Sequence, residues 1–250
     1  MSAAYLITWL MVFLRAIGVL LQLPLLAGRP IPVMVRMGVC ACLATLLAGI
    51  VPTAEVPLNL YALALAAAGE VLLGLALGFV SRISFAAVEI AGRIISSEIG
   101  LTATPGIGVP DPAHEPLAAL FSSFAVIFFF MSGGHQMLLN AFARSFYLAA
   151  AGRSMIDGSA AEALIRATSH VIELGLRIAA PFIALNFLIN LAFSVLGRAV
   201  PKMSVFVLSM SLRSMAGLAL LSASGSLIAR YLFIEFADMP IRMLQILPTR

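Results

Sequence analysis

Long apolar stretches broken by proline and glycine dominate the hydrophobic pattern of this chain. Most of them are long enough, at about 20 residues, to cross the hydrocarbon core of a bilayer as an α-helix. The breaks hold prolines and glycines, and proline cannot continue a helix because it lacks the N–H donor. The pattern predicts an all-α, polytopic membrane protein with about six long, kinked apolar helices in hairpins, over 5–26, 37–51, 58–80, 117–140, 159–197 and 205–236.

Two segments depart from this apolar pattern. Residues 82–101 carry polar side chains at spacings of seven, four and four, which places them on one side of an amphipathic helix. Between Pro105 and Pro116 the chain has four prolines and two glycines. We therefore expect an irregular loop over 102–116, followed by the next apolar helix.

The composition excludes several classes of protein. Of 250 residues, 62% are hydrophobic and only 10% are charged, and the mean hydropathy is +1.09, which excludes a soluble domain and a disordered chain. The net charge of +4 is spread along the chain without a basic block, so nucleic acid is not an expected partner. Cys40 and Cys42 lie in an apolar run and form neither a disulfide framework nor a metal site. We interpret 1–250 as a single integral membrane domain.

A stripe of four residues in the third helix predicts a close helix contact. Glu70, Gly74, Gly78 and Arg82 follow one another at steps of four, and the two glycines allow another backbone to approach. An ionised Glu70 facing lipid would cost roughly 3 kcal/mol, so its side chain should face protein or water. We interpret Glu70 as part of a structural ion pair or helix cap, with a proton or ion relay and a contact to another subunit as alternatives. These four residues form the predicted helix-contact stripe.

A second stripe of polar residues runs along the helix that follows residue 158. Ser159 and Glu162 match a capping box, which predicts a helix start. Spacings of four, four, three and four then keep the polar side chains on one face. We expect this polar stripe to make intersubunit contacts through Glu162, Arg166, His170, Glu173 and Arg177.

The apolar segments contain more ionic side chains than a bundle of six helices should be able to bury. An intramembrane charge is costly unless it faces protein or a water-filled cavity. We therefore hypothesise that other subunits cover much of the surface around Arg15, Glu70, Glu89, Arg93, Glu173, Arg177 and Arg213.

The sequence offers little catalytic chemistry. None of the three histidines lies in a recognised zinc or hydrolase motif, and we assign no catalytic, cofactor or metal site. An intramembrane hydrolase would have to pair Ser224 or Ser226 with His135, and those small residues more often serve helix packing. A small secondary transporter or ion channel acting alone is the other alternative, but it should show paired broken helices, and only Pro181 marks such a break.

Short motifs along nearly the whole chain resemble one family. They are Leu14-Arg15, Pro24, Ile31-Pro32 with Val35-Arg36, the helix-contact stripe, Ala91-Gly92, Gly100, Asp111-Pro112, Gly134-His135, Asn190-Leu191 and Gly197-Arg198 with Pro201. In this order and at this length they are similar to the FliR/SctT family of flagellar and injectisome export-gate membrane proteins. The chain departs from the family pattern at Ser204, at Met210-Ser211 and at Gly133.

The resemblance implies a function that is not enzymatic. It implies a structural and gating subunit of the type III (flagellar) protein export channel, located in the bacterial inner membrane at the flagellar basal body and conducting unfolded substrates. The implied partners are FliP-like, FliQ-like and FlhB-like membrane subunits and the lipid bilayer. It also implies that the proline-rich segment is a plug loop obstructing the channel, with Thr102, Pro105, Gly106, Gly108, Pro110, Asp111 and Pro112 as its residues.

Overall fold

The computed structural model describes residues 3–23, 32–54, 56, 59–101, 116–153, 158–199 and 205–247. Every regular element within these ranges is an α-helix: α1 Ala3–Gln22, α2 Val33–Leu47, α3 Leu60–Glu98, α4 Pro116–Met131, α5 Gly134–Leu148, α6 Gly158–Ala199 and α7 Val205–Leu244. Four of them, α1, α3, α6 and α7, contain stretches long and apolar enough to cross a membrane, and α4 with α5 gives a fifth candidate. The predicted all-α membrane class is confirmed, with four or five candidate spans rather than six.

Helix α3 is longer than the sequence pattern predicts. The expected apolar helix over 58–80 and amphipathic helix over 82–101 are one continuous helix of 39 residues. No proline or glycine separates the two patterns at residues 79–91, so nothing interrupts the backbone hydrogen bonds there. Asn59 caps the start, since its side chain accepts a hydrogen bond from the Tyr61 N–H at 3.1 Å. At 1.5 Å per residue α3 is about 58 Å long, about twice the hydrocarbon thickness of a bilayer.

The predicted span over 117–140 is two helices that meet at a sharp bend. The axes of α4 and α5 differ by 70° across Ser132 and Gly133. Gly133 has a φ of +74°, a left-handed conformation that glycine adopts without the steric cost of a Cβ atom. The prediction of one span over 117–140 is therefore wrong as a single straight helix.

Helix α2 does not form a hairpin with α3, although the apolar pattern predicts successive helices in hairpins. It spans Val33–Leu47 and packs against α1 instead. Its buried side is formed by Cys40 and Ala44, and the Trp9 indole N–H of α1 donates to Thr45 Oγ1 at 3.0 Å. Small side chains on α2 allow this approach, which the hydropathy pattern alone does not reveal.

Helix α3 lies at the centre of the bundle and packs against α1, α4, α6 and α7. Phe85 of α3, Phe129 of α4 and Phe236 of α7 contact one another with ring centroids 5.1–5.3 Å apart. Helices α6 and α7 continue through Pro181 and Pro240. The helix predicted to start at the capping box begins at Gly158, one residue before Ser159.

Candidate functional site

Glycines bring α1 and α3 into backbone contact. A Cβ atom added at Gly74 would lie 2.4 Å from the Arg15 carbonyl oxygen, and one at Gly78 would lie 2.8 Å from the Val19 carbonyl oxygen. From the other side, a Cβ atom at Gly18 would lie 2.7 Å from the Gly74 backbone. These distances are far below van der Waals contact, so a side chain at Gly18, Gly74 or Gly78 would force α1 and α3 apart.

The ends of the same stripe reach α1 through polar side chains. Glu70 receives two hydrogen bonds from Arg15, with Nε 2.6 Å from Oε2 and Nη2 3.0 Å from Oε1. Three turns further along α3, Arg82 Nη1 donates to Gln22 Oε1 at 3.1 Å. All four members of the helix-contact stripe therefore face α1 of the same chain.

The Arg15–Glu70 ion pair is completely enclosed. Both side chains are 0% exposed. Arg15 Nη1 donates to Ser145 Oγ at 3.0 Å, Nη2 donates to the Ala149 carbonyl at 3.0 Å, and the guanidinium lies 4.0 Å from the centre of the Phe146 ring. Buried charges persist in proteins when their hydrogen bonds are met in this way.

The same carboxylate also holds the loop after α5. The backbone N–H of Gly152 donates to Glu70 Oε1 at 2.8 Å, and Gly152 adopts a φ of +82°. The ion pair thus joins α1, α3, α5 and the turn at 149–153. Its geometry is that of a structural ion pair, because both carboxylate oxygens accept hydrogen bonds from Arg15 and neither side chain is exposed to solvent.

The predicted polar stripe of α6 divides into two kinds of contact. Glu162 pairs with Arg166 at 3.2 Å and Glu173 pairs with Arg177 at 2.6 Å, and both pairs lie on the exposed surface within one helix. The fifth member, His170, instead lies 3.0 Å from Glu235 of α7.

Glu235 is the centre of a second buried cluster, which the spacing of polar residues in the sequence does not predict. It is 2% exposed and accepts hydrogen bonds from Ser84 Oγ of α3 at 2.8 Å and from Arg242 Nη1 at 2.8 and 3.0 Å. A cleft of about 530 Å³ opens beside it, lined by His170 and Arg242 among others. The available signal was an acidic residue inside the apolar run 231–236.

The remaining predicted positions are not brought together by the structure. Ser224 Oγ donates to the Leu221 carbonyl at 3.2 Å, whereas His135 Nδ1 has no hydrogen-bond partner among the described residues and its ring lies against Phe130. No hydrogen bond between described residues joins a serine to this histidine. Groups of three or more potential metal ligands are likewise absent from the described ranges. The predicted plug loop lies outside the described residues, since 102–115 are not among them.

The ionic side chains singled out in the sequence find partners within the chain. Besides Arg15 and Glu70, Glu89 pairs with Arg93 at 2.6 Å, Glu173 pairs with Arg177, and Arg213 donates to an asparagine. Arg15 and Glu70 therefore need no other subunit to satisfy their charges. The two surface pairs remain candidates for coverage by other subunits, because their side chains are 44–61% exposed on predominantly apolar helices.

The helical fold, its candidate spans and its enclosed ion pair define a polytopic helical membrane protein. The chain belongs to the family described as bacterial export proteins, family 1, which matches residues 6–239. The predicted family is confirmed.

Proteins similar to this chain come from flagellar and secretion systems. The flagellar biosynthetic protein FliR of Escherichia coli K12 is 29% identical over 250 residues, which cover 97% of this chain and 96% of that protein. FliR of Bacillus subtilis 168 is 27% identical, covering 82% and 81%. The secretion system apparatus protein SsaT of Salmonella typhimurium LT2 is 28% identical, covering 84% and 83%.

Proposed function

We propose that this chain is a structural and gating subunit of the type III protein export channel, working in flagellar export in the bacterial inner membrane and conducting unfolded flagellar substrates. The observation that carries the proposal is the similarity to FliR, which extends over nearly the whole of both chains. In this role the chain acts by packing and by forming a channel wall, and it needs no catalytic group.

The dimensions of the helices support a place inside an assembly. Helices α3, α6 and α7 have 39, 42 and 40 residues, about twice what a bilayer requires. Part of each helix therefore lies outside the hydrocarbon. The exposed ion pairs Glu89–Arg93 and Glu173–Arg177 fit a surface that other subunits or water cover, because exposure to lipid tails would leave charged groups unsolvated.

The partners we propose are FliP-like, FliQ-like and FlhB-like membrane subunits. The apolar side chains left exposed on α6 and α7 support this, since they include Ile172, Phe187, Leu191 and Met215 at 53–72% exposure. A transporter or channel acting alone would need a polar site open to water at mid-depth. The Arg15–Glu70 pair is closed to solvent, so it does not favour that alternative.

The proline-rich segment from Thr102 to Pro112 is proposed as the plug of this channel. Irregular backbone at membrane depth is tolerated only where it lines a cavity or is buried in protein. Deleting residues 106–109 should leave assembly intact and raise the leak of small ions across the membrane. Normal assembly with unchanged conductance would contradict a plug role for this loop.

The direct test of the proposed function is an export assay. Deleting the gene from its own host should abolish the appearance of flagellar filament protein in the medium and abolish swimming, while the filament protein still accumulates inside the cell. Expression of the chain from a plasmid should restore both. Normal export in the deletion strain would refute the proposal.

A further inference from the structure

A line of polar side chains crosses the point where α3, α6 and α7 meet. Arg213 Nη2 donates to Asn190 Oδ1 at 2.6 Å, Asn190 Nδ2 donates to Asn186 Oδ1 at 3.2 Å, and Asn186 Nδ2 donates to Glu98 Oε2. We call Glu98, Asn186, Asn190 and Arg213 the polar ladder. Each donor points toward Glu98, so the ladder separates a cation on α7 from an anion at the end of α3.

The cationic end of the polar ladder is incompletely paired. Arg213 Nε is buried and has no hydrogen-bond partner among the described residues, and the one side-chain acceptor that the described residues offer Arg213 is the neutral amide of Asn190. By contrast, Arg15 meets a carboxylate, a hydroxyl and a carbonyl. A guanidinium in apolar surroundings is stabilised far more by a carboxylate than by an amide.

The surroundings of the polar ladder are apolar and uncovered. In the most apolar stretches of α6 and α7, 22% of the residues are buried inside the chain, against 39% in α1 and α3. Phe187, Leu191 and Leu212 flank the ladder at 65%, 54% and 47% exposure. Water is a poor covering for such a surface, and lipid tails cannot accept a hydrogen bond from the arginine.

We propose that this face of α6 and α7 docks an apolar helix of a different membrane subunit, and that a carboxylate near the middle of that helix accepts hydrogen bonds from Arg213. This inference rests on the proposed function, in which the chain is one subunit of a larger assembly. A second copy of this chain is the wrong occupant, because a two-fold contact at this face would bring two Arg213 cations together. Arg213 is then a determinant of partner choice, since a helix without a carboxylate leaves its N–H groups unpaired.

The test uses the chain in its native host membranes, with its neighbouring subunits present. A photo-crosslinking amino acid is placed at Phe187 or at Met210, which lie within one turn of Asn190 and of Arg213. Mass spectrometry of the adduct should identify an apolar helix of another chain with an Asp or Glu within about one turn of the attachment point. An adduct with lipid alone, with a second copy of this chain or with another part of the same chain would overturn the proposal.

Charge variants then test the role of Arg213. Arg213→Gln should lower the adduct yield, normalised to the amount of chain in the membrane, by roughly tenfold, the size expected for one charge-assisted hydrogen bond. Arg213→Lys should retain part of the yield, because the charge remains. The matched control is Arg230→Gln, which alters an exposed arginine of the same helix and should leave the yield unchanged. Equal yields for Arg213→Gln and the control would refute the pairing.

A charge exchange completes the test and separates it from the proposed function. Arg213→Glu should prevent docking, and replacing the partner's carboxylate by lysine should restore it. If the chain co-purifies with other export subunits but gives no adduct at this face, this inference fails while the proposed function stands. If export is normal without the chain, the proposed function fails first.

Discussion

Neutralising Glu70 is expected to destabilise the protein strongly. In Glu70→Gln the Arg15 cation stays 0% exposed but loses its anionic partner, retaining as acceptors the Ser145 hydroxyl and the Ala149 carbonyl and whichever contact the new amide oxygen makes. Removing one member of a buried ion pair typically costs about 3–5 kcal/mol. We expect a loss of this size in the free energy of unfolding.

Removing both charges should cost less than removing one. In Arg15→Met/Glu70→Met the buried cation is absent, and the main penalty is the loss of the hydrogen bonds to the Gly152 N–H and the Ala149 carbonyl, on the order of 1–3 kcal/mol. The double variant should therefore be more stable than either single variant. The loss of stability in the double variant is then much smaller than the sum of the two single losses, which is a large coupling between the two sites.

The assay is unfolding of the purified chain by detergent titration, followed by far-ultraviolet circular dichroism. Glu89→Gln is the matched control, because it removes an anion from an ion pair on the surface of the same helix, where the cost should stay within about 1 kcal/mol. Equal unfolding midpoints for Glu70→Gln and Glu89→Gln, or a double variant less stable than both single variants, would contradict a buried charge at Arg15 that depends on Glu70.

Two further predictions concern the helix contacts. Gly74→Ala would place a Cβ atom 2.4 Å from the Arg15 carbonyl, so α1 and α3 must separate, and we expect a loss of about 1–3 kcal/mol in the same unfolding assay. Gly38→Ala, which has open space at this position of α2, should be neutral or slightly stabilising, and an equal loss at both positions would contradict the close-contact argument. Glu235→Gln should destabilise the protein by about 2–4 kcal/mol, because it neutralises a buried carboxylate that accepts hydrogen bonds from an arginine. Glu173→Gln, which alters a surface ion pair, should have little effect. Similar unfolding midpoints for the two variants would count against the buried cluster.

The pattern of apolar residues was sufficient to predict the class of fold but not where helices end. Proline and glycine mark most breaks, yet Pro181 and Pro240 lie inside continuous helices. At residue 133 a glycine in a left-handed conformation separates α4 from α5, inside a stretch that the hydropathy pattern predicts as one span. Such a bend depends on what each half packs against, and a hydropathy pattern does not contain that information.

The sequence pattern also did not predict which residues pair with the charged side chains. The spacing of Glu70, Gly74 and Gly78 predicted a contact face, but nothing local indicated that Arg15, 55 residues away, lies on the opposing helix. Glu235 joins His170 and Ser84 across three helices, so its role follows from tertiary packing alone. Spacing predicts which residues share a helix face, but only the tertiary fold shows which helix packs against that face.

The native mass of the chain, extracted at natural abundance from its own host membranes in mild detergent, tests most directly whether the protein works as part of an assembly. We predict that the chain is found in a large complex with FliP-like and FliQ-like subunits in a fixed ratio, and that little of it is present as a single copy. A monodisperse, stable single copy with no co-purifying membrane subunits would contradict the claim that this protein works as part of an export channel.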